Sequence, residues 1–227
     1  MTSFLSRIGK LKTHNMDDHL LRFDKEKTLV FFDAETLNLC LNFCHNLPWQ
    51  IGMIKVKGSQ RIDDKNFFIK WQTELKISDE AARITRYDHK KVERLGSSPE
   101  EIFPTIEEWL NEADYIVGHN VIAFDLYLVK EYYKYMGKSA EHLFHKFIDT
   151  NAIARGIKMG LPFKSGDDLQ EYQYRAYHKR VKGIKSNLTF LGKEMSIDHD
   201  YENLHDALVD LELNLKVWNI LKYQIDL

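Results

Sequence analysis

The segment Thr28 to Thr36, read Thr-Leu-Val-Phe-Phe-Asp-Ala-Glu-Thr, is apolar until it ends abruptly in two carboxylates separated by one residue. Such a run reads as a buried strand. Successive side chains on a strand point to opposite faces, so Asp33 and Glu35 share one face and Ala34 takes the other. Two ionised carboxylates side by side repel, and each raises the other's pKa unless a cation sits between them. A strand that simply runs out into an acidic loop would have the same sequence. The structural and the chemical reading therefore both stand at this point, and the rest of the chain decides between them.

With 227 residues, 44% of them hydrophobic, the chain can bury a full core. Its 32 basic and 34 acidic residues leave a net charge of -2, so evidence for a nucleic-acid partner has to be local. The two cysteines, Cys40 and Cys44, even with His45 beside them, lack the fourth ligand of a closed zinc site. They read as reduced thiols of a cytoplasmic protein. No apolar stretch reaches the length of a membrane span, and the N-terminus lacks the continuous apolar core of a secretory signal. A soluble protein without a membrane partner is expected.

Residues 1–27 precede the first strand. Phe4, Leu5, Ile8 and Leu11 with interspersed Arg7, Lys10 and Lys12 sketch an amphipathic helix for a protein partner, whereas Asp17, Asp18, Asp24 and Glu26 favour a loosely packed extension. After the first strand, a leucine- and aromatic-rich loop from Leu37 to Leu47 leads through Pro48 into a strand over Trp49 to Val56, with another over Asn66 to Trp71. Three strands without intervening helices predict an antiparallel meander. Ser98-Pro99-Glu100-Glu101 is a helix start, with proline in the first turn and acids where the dipole favours them, and the helix runs to about Asn111. Tyr115 to Val117 is a short strand that enters the turn Gly118-His119-Asn120 and a second helix. Phe147-Ile148 is the last strand, and Asp149-Thr150 N-caps the helix of Ile153 to Ile157. Helical character returns over Asp168 to Lys182, Asn187 to Glu194 and about Asn203 to Tyr223. The pattern predicts one α/β domain over residues 28–227.

Two later acids keep unexpectedly apolar company. Asp125 lies between Phe124 and Leu126, and Asp210 within Ala207-Leu208-Val209-Asp210-Leu211; a buried acid needs a partner. A Lys or Arg elsewhere on a helix face would serve each of them as well as a shared site would. His205 and Asp210 are five residues apart, roughly 140° around a regular helix, and cannot face one site from it. If they share a site, His205 must lie on the entering loop with Asp206 as N-cap.

Taken together, Asp33-Ala34-Glu35-Thr36, Gln50-Ile51-Gly52, Gly118-His119-Asn120 with Phe124-Asp125, Asp149-Thr150 and His205-Asp206-Ala207-Leu208-Val209-Asp210 resemble, in order and spacing, the DEDDh 3′-to-5′ exonucleases, proofreading-subunit-like members of the ribonuclease H-like superfamily. The resemblance spans about residues 28 to 223. It implies a ribonuclease H-like mixed five-stranded sheet flanked by helices, and a metal-dependent exonuclease releasing nucleoside 5′-monophosphates from single-stranded 3′ ends, with DNA favoured. Asp33, Glu35, Asp125 and Asp210 would hold two Mg²⁺ ions, with Mn²⁺ able to substitute, because hard cations take oxygen ligands and relieve the clustered charge. Asp33 would bridge the ions, Glu35 and Asp210 would complete the first and Asp125 would serve the second. His205 would be the general base.

By the same resemblance Thr36, Leu37 and Asn120 contact or support the terminal nucleotide, while Asp149 is structural. Asn38-Leu39-Cys40 departs from the glycine-containing turn common in the family, which puts the contact to the terminal base in doubt. Arg175, Lys179 and Arg180, followed by Lys182 and Lys185 and interleaved with Tyr172, Tyr174 and Tyr177, offer charges for phosphates and rings for bases, or else form a solvated helix face. Two other functions share these residues: a ribonuclease acting on RNA 3′ ends or short oligoribonucleotides, and a non-catalytic nucleic-acid or polymerase-binding module.

Overall fold

The computed structural model describes residues 20–39, 41, 46–72 and 77–227. The amphipathic segment of Phe4 to Lys12, and Cys40, Cys44 and His45, lie outside the described residues. The strand order is β3-β2-β1-β4-β5, built from β1 (Thr28–Thr36), β2 (Pro48–Lys57), β3 (Gln60–Phe68), β4 (Tyr115–Gly118) and β5 (Phe147–Asp149). β1 to β3 form the antiparallel meander, and β4 and β5 add parallel to β1. The mixed five-stranded sheet expected from the sequence is the one that forms.

Alternation along β1 sorts the core into two layers. Val30, Phe32 and Ala34 face the cluster under α3 (Pro99–Glu112) and α4 (Asp125–Tyr135). Leu29 and Phe31 face the cluster under α5 (Thr150–Lys158), α6 (Leu169–His178), α7 (Leu188–Glu194) and α8 (Ala207–Leu221). With helices on both faces, both sides of the inner strands are buried, and the run is apolar throughout instead of alternating.

The remaining elements differ from their sequence expectations in ways the packing explains. β3 begins at Gln60, not Asn66, because it is an edge strand whose first residues are exposed and carry no apolar alternation. Two short helices, Asp79–Ile84 and His89–Leu95, occupy a stretch with no expected element, each capped by a side chain, Ser78 and Asp88. α3 has the anticipated N-terminus: Ser98 and Glu101 form a reciprocal capping box with Pro99 at N1. α6 stops at His178, short of Lys182, and α8 starts at Ala207, after Asn203. Leu20 is buried, and the Leu21 N–H donates to the Leu227 carbonyl at 2.7 Å, so the described residues before β1 dock on the C-terminal segment. Among the described residues no helix is long and apolar enough to cross a membrane.

Candidate active site

Asp33 and Glu35 lie at the C-terminal end of β1 on the face shared with Leu29 and Phe31, while Ala34 packs into the opposite layer. Their neighbours on β2 are Gly52 and Gln50 respectively. Gly52 is a spacing device. A Cβ there would lie 2.9 Å from the carbonyl carbon of Ala207, the first residue of α8. Only glycine lets the start of α8 rest on β2 and reach across to the acids of β1.

The approach to α8 is fixed by its cap. The Asp206 side chain accepts from the Leu208 N–H at 3.2 Å, and Lys91 Nζ lies 3.4 Å from its carboxylate. His205 precedes the cap at φ 70°, a left-handed conformation that β-carbon-bearing residues adopt sparingly. That turn points its backbone N–H at Asp210, 3.3 Å from each carboxylate oxygen. His205 therefore lies on the entering loop, as the five-residue spacing demands, and is tied to the acid one turn into the helix.

Asp125 arrives from the opposite helical layer. β4 ends at Gly118, where a Cβ would meet Val121 Cβ at 2.6 Å, so the chain turns tightly. Asn120 sits at φ 65° within that turn, and the Asp149 carboxylate holds it by accepting from the N–H groups of Asn120 (2.8 Å) and Ile122 (3.2 Å). Asp125 is then the first residue of α4, not an interior helical position, and its Oδ1 accepts the Ala34 N–H at 3.0 Å. The acid is clamped between its own helix start and the backbone joining Asp33 to Glu35.

These carboxylates strain against one another. Burial first, then the charges of Asp125, Asp210, Glu35 and Asp206, hold Asp33 well above the usual carboxylate range. Burial and then Asp210, Asp125 and Asp206 push Glu35 up to about 8. Burial raises Asp125 to about 8 against the pull of two backbone N–H groups. It raises Asp210 to about 6, where the His205 N–H and the charge of Arg86 pull the other way. Partial desolvation, then the charge of Arg86, lowers the pKa of the His205 imidazole although the residue is exposed.

Mutually repelling acids, Glu35 and Asp125 buried and Asp33 and Asp210 half-buried, suit a hard divalent cation. Glu35, Asp210 and His205 each offer a ligand atom within 4.8 Å of the others. Asp33 and Asp125 fall outside that group, and the charges of Asp125, Asp210 and Glu35 all act on Asp33. The imidazole thus offers a nitrogen within reach of two of the acids, a placement the sequence did not suggest.

The other residues singled out in the sequence are placed as follows. The Thr36 hydroxyl donates to the Asn38 carbonyl at 2.7 Å, and Leu37 is buried with Leu47, Trp49, Phe68 and Val92. The Asn120 side chain accepts from Asn151 Nδ2 at 3.4 Å. Arg175 and Lys179 line a cavity of about 300 Å³ with Gly156, Leu161 and Tyr172, whose walls include none of the site acids; Arg175 lies 3.7 Å from Glu171, and Arg180 is exposed. His119, half-buried with its ring desolvated and held down to about 4, sits 3.0 Å from the Thr150 hydroxyl. Arg86 and Asp206 act on the site without having been foreseen. Arg86 falls between the two unanticipated short helices, at φ 53°, and donates to the Glu202 carbonyl at 2.6 Å. Asp206 was visible only as a cap.

Three layers around this strand order, with acids at the C-terminal edge of β1, define a mixed five-stranded α/β fold flanked by helices. The zinc-ion-bound E. coli exonuclease I–ssDNA complex aligns with a TM-score of 0.67 at 18% identity, over 88% of this chain and 41% of that one. The complex of E. coli exonuclease I with a dA16 oligonucleotide aligns with a TM-score of 0.67 at 18% identity, over 87% and 41%. In sequence, the DNA polymerase III PolC-type of Mycoplasma pneumoniae (strain ATCC 29342 / M129 / Subtype 1) is 25% identical over 231 residues, covering 98% of this chain and 14% of that protein. The chain thus spans less than half the length of each of these proteins. Residues 30–218 match the RNase T exonuclease family, and the chain belongs to that family.

Proposed function

We propose that this chain is a divalent-metal-dependent 3′-to-5′ exonuclease acting on single-stranded ends, DNA in preference to RNA. The observation that carries the reading is the gathering of ligand atoms of Glu35, Asp210 and His205 within 4.8 Å of one another, with Asp33 on the same strand and Asp125 hydrogen-bonded to the Ala34 amide between Asp33 and Glu35. The fold shared with exonuclease I bound to ssDNA and the likeness to a DNA polymerase support the choice of DNA.

Asp33, Glu35 and Asp210 would hold one Mg²⁺ or Mn²⁺ ion, and Asp33 with Asp125 a second. The ions would supply Lewis acidity at the phosphate and lower the pKa of the attacking water. His205 takes the proton from that water, a task suited to an imidazole at the exposed rim of the acids. Asp125, clamped to the Ala34 amide, keeps the β1 end in register with α4. The left-handed turn at His205 fixes the distance from the base to Asp210.

Asp33→Asn keeps the side-chain shape and removes the charge. It should lower Mg²⁺-dependent mononucleotide release from a 3′-labelled single strand by roughly a thousandfold or more, with an unchanged circular-dichroism spectrum. Persistent cleavage by that variant would rule out the assignment. Matched DNA and RNA strands in the same assay decide the sugar.

A further inference from the structure

The aromatic residues of α6 fall on two faces with different fates. Tyr172 is buried, its hydroxyl donating to the Leu161 carbonyl at 3.1 Å, on the side where Arg175 and Lys179 line their cavity. Tyr174, Tyr177 and His178, three and four residues apart, share the other face. They line a separate cleft of about 410 Å³ with Ile122, Ala123, Tyr127, Asp149, Ala152 and Gln173. The rings are left in solvent: Tyr174 is 64%, Tyr127 50% and Tyr177 37% exposed. His178 Nδ1 lies 2.9 Å from the Tyr174 carbonyl, and the two rings stand 4.1 Å apart at 34°, so the platform is built before anything binds.

The cleft lies along the same sheet edge as the acid site, with Asp149 in its wall and none of the site acids lining it. Phe31 of β1, Val117 of β4 and Ile148 of β5 are in register, so Asp33 and Asp149 lie at the same C-terminal edge of the sheet. Two strand spacings separate β1 from β5, roughly 10 Å. Ligands of open α/β sheets lie along this edge. The cleft's inner wall, Ile122 and Ala123, is the turn that ends at Asp125. Gln173 fixes the outer wall: its side-chain amide donates to the Phe147 carbonyl at 3.0 Å and accepts from the Asp149 N–H at 2.6 Å, pairing with the edge of β5 as a further strand would. Exposed Arg180 and Lys182 follow the platform a few residues on in the chain.

Resting on the nuclease reading above, we propose that this cleft is a stacking site for the unpaired bases next to the 3′ end held at the acids. Rings in place of hydrogen-bonding groups give grip without base choice, because every base has a π-face. The basic residues beside it suit the backbone that must pass there.

The test is the double variant Tyr174→Ala/Tyr177→Ala, both positions being solvent-exposed. Binding is read by fluorescence anisotropy on labelled oligothymidylate and oligouridylate of about twelve nucleotides, in the Asp33→Asn background with Mg²⁺. Turnover is read on the same oligomers and on the p-nitrophenyl ester of thymidine 5′-monophosphate, which is too short to reach the cleft. Oligomer affinity and KM should worsen by about tenfold or more, while hydrolysis of the ester is unchanged; Tyr174→Trp should restore affinity to Tyr174→Ala. Equal oligomer affinity with and without the rings overturns the proposal. So does an equal loss on the ester, or a change confined to self-association of the chain. If the rings govern binding yet the protein bearing Asp33 cleaves nothing, the nuclease reading falls and the stacking site stands.

Discussion

Asp149 and Asp125 are both buried aspartates, at the ends of the adjacent strand β5 and the turn after β4, and they have opposite fates. Asp149 accepts N–H groups from Asn120, Ile122, Asn151 and Ala152, and this shell limits its rise from burial to about 6. Asp125 accepts from Ala34 across the chain and is pushed up to about 8. Asp33, surrounded by other acids, is held higher than its ordinary range by every neighbour that acts on it most strongly. Burial alone therefore does not mark a functional acid. What marks it is burial without enough donors, because the missing compensation has to come from something that binds.

The comparison breaks most visibly in the pH dependence of the metal-free protein. An acid whose pKa is higher folded than unfolded holds an extra proton in the folded state between the two values, so stability falls as pH rises through that window. For Glu35 and Asp125 the window runs from about 4 to about 8. In EDTA the melting temperature should therefore drop between pH 5 and pH 8 by about 10 °C or more. Mg²⁺ or Mn²⁺ should restore most of the drop at pH 8 and do little at pH 5. A flat profile in EDTA would mean that the acids are not strained.

Asp149→Ala should have the next largest effect, of the opposite kind. Stranding the buried amides of the Asn120 turn and the α5 start costs about 2–4 kcal/mol, read by urea denaturation at any pH from 6 to 8. Residual activity per folded molecule should be far closer to wild type than that of Asp33→Asn. Loss of activity without loss of stability would move Asp149 to the functional side of the comparison. Gly52→Ala should have the smallest effect. Pushing a methyl against the Ala207 backbone costs about 1–3 kcal/mol. It should lower kcat more than its stability change explains, because α8 carries Asp210 away from β1.

How much of this was legible in the sequence varies by element. The β1 acids were legible because a strand's alternation is local, and placing Asp33 and Glu35 together needs no other part of the chain. The loop position of His205 followed from helical geometry and the capping preference of Asp206. Asp149 was expected to be structural through its likeness to the family, and its carboxylate accepts four backbone amides. β3 was misjudged at its start because an exposed edge strand leaves no apolar period. The basic and aromatic stretch after Asp168 was read as one surface, yet α6 turns Arg175 and Lys179 to one side and Tyr174, Tyr177 and His178 to the other. Arg86 had no local signal at all, since its influence comes from where two short helices meet the His205 loop.

The sequence by itself determined the sheet, the capped helix starts and the family, because periodicity, capping and motif spacing act over a few residues and survive without knowledge of neighbours. Only the tertiary structure decided which acids are starved of donors and which face of α6 lines the cleft at the end of β5. Both depend on the packing of segments far apart in the chain: burial raises the acids, and the anchoring of Gln173 on β5 sets the rings along that edge.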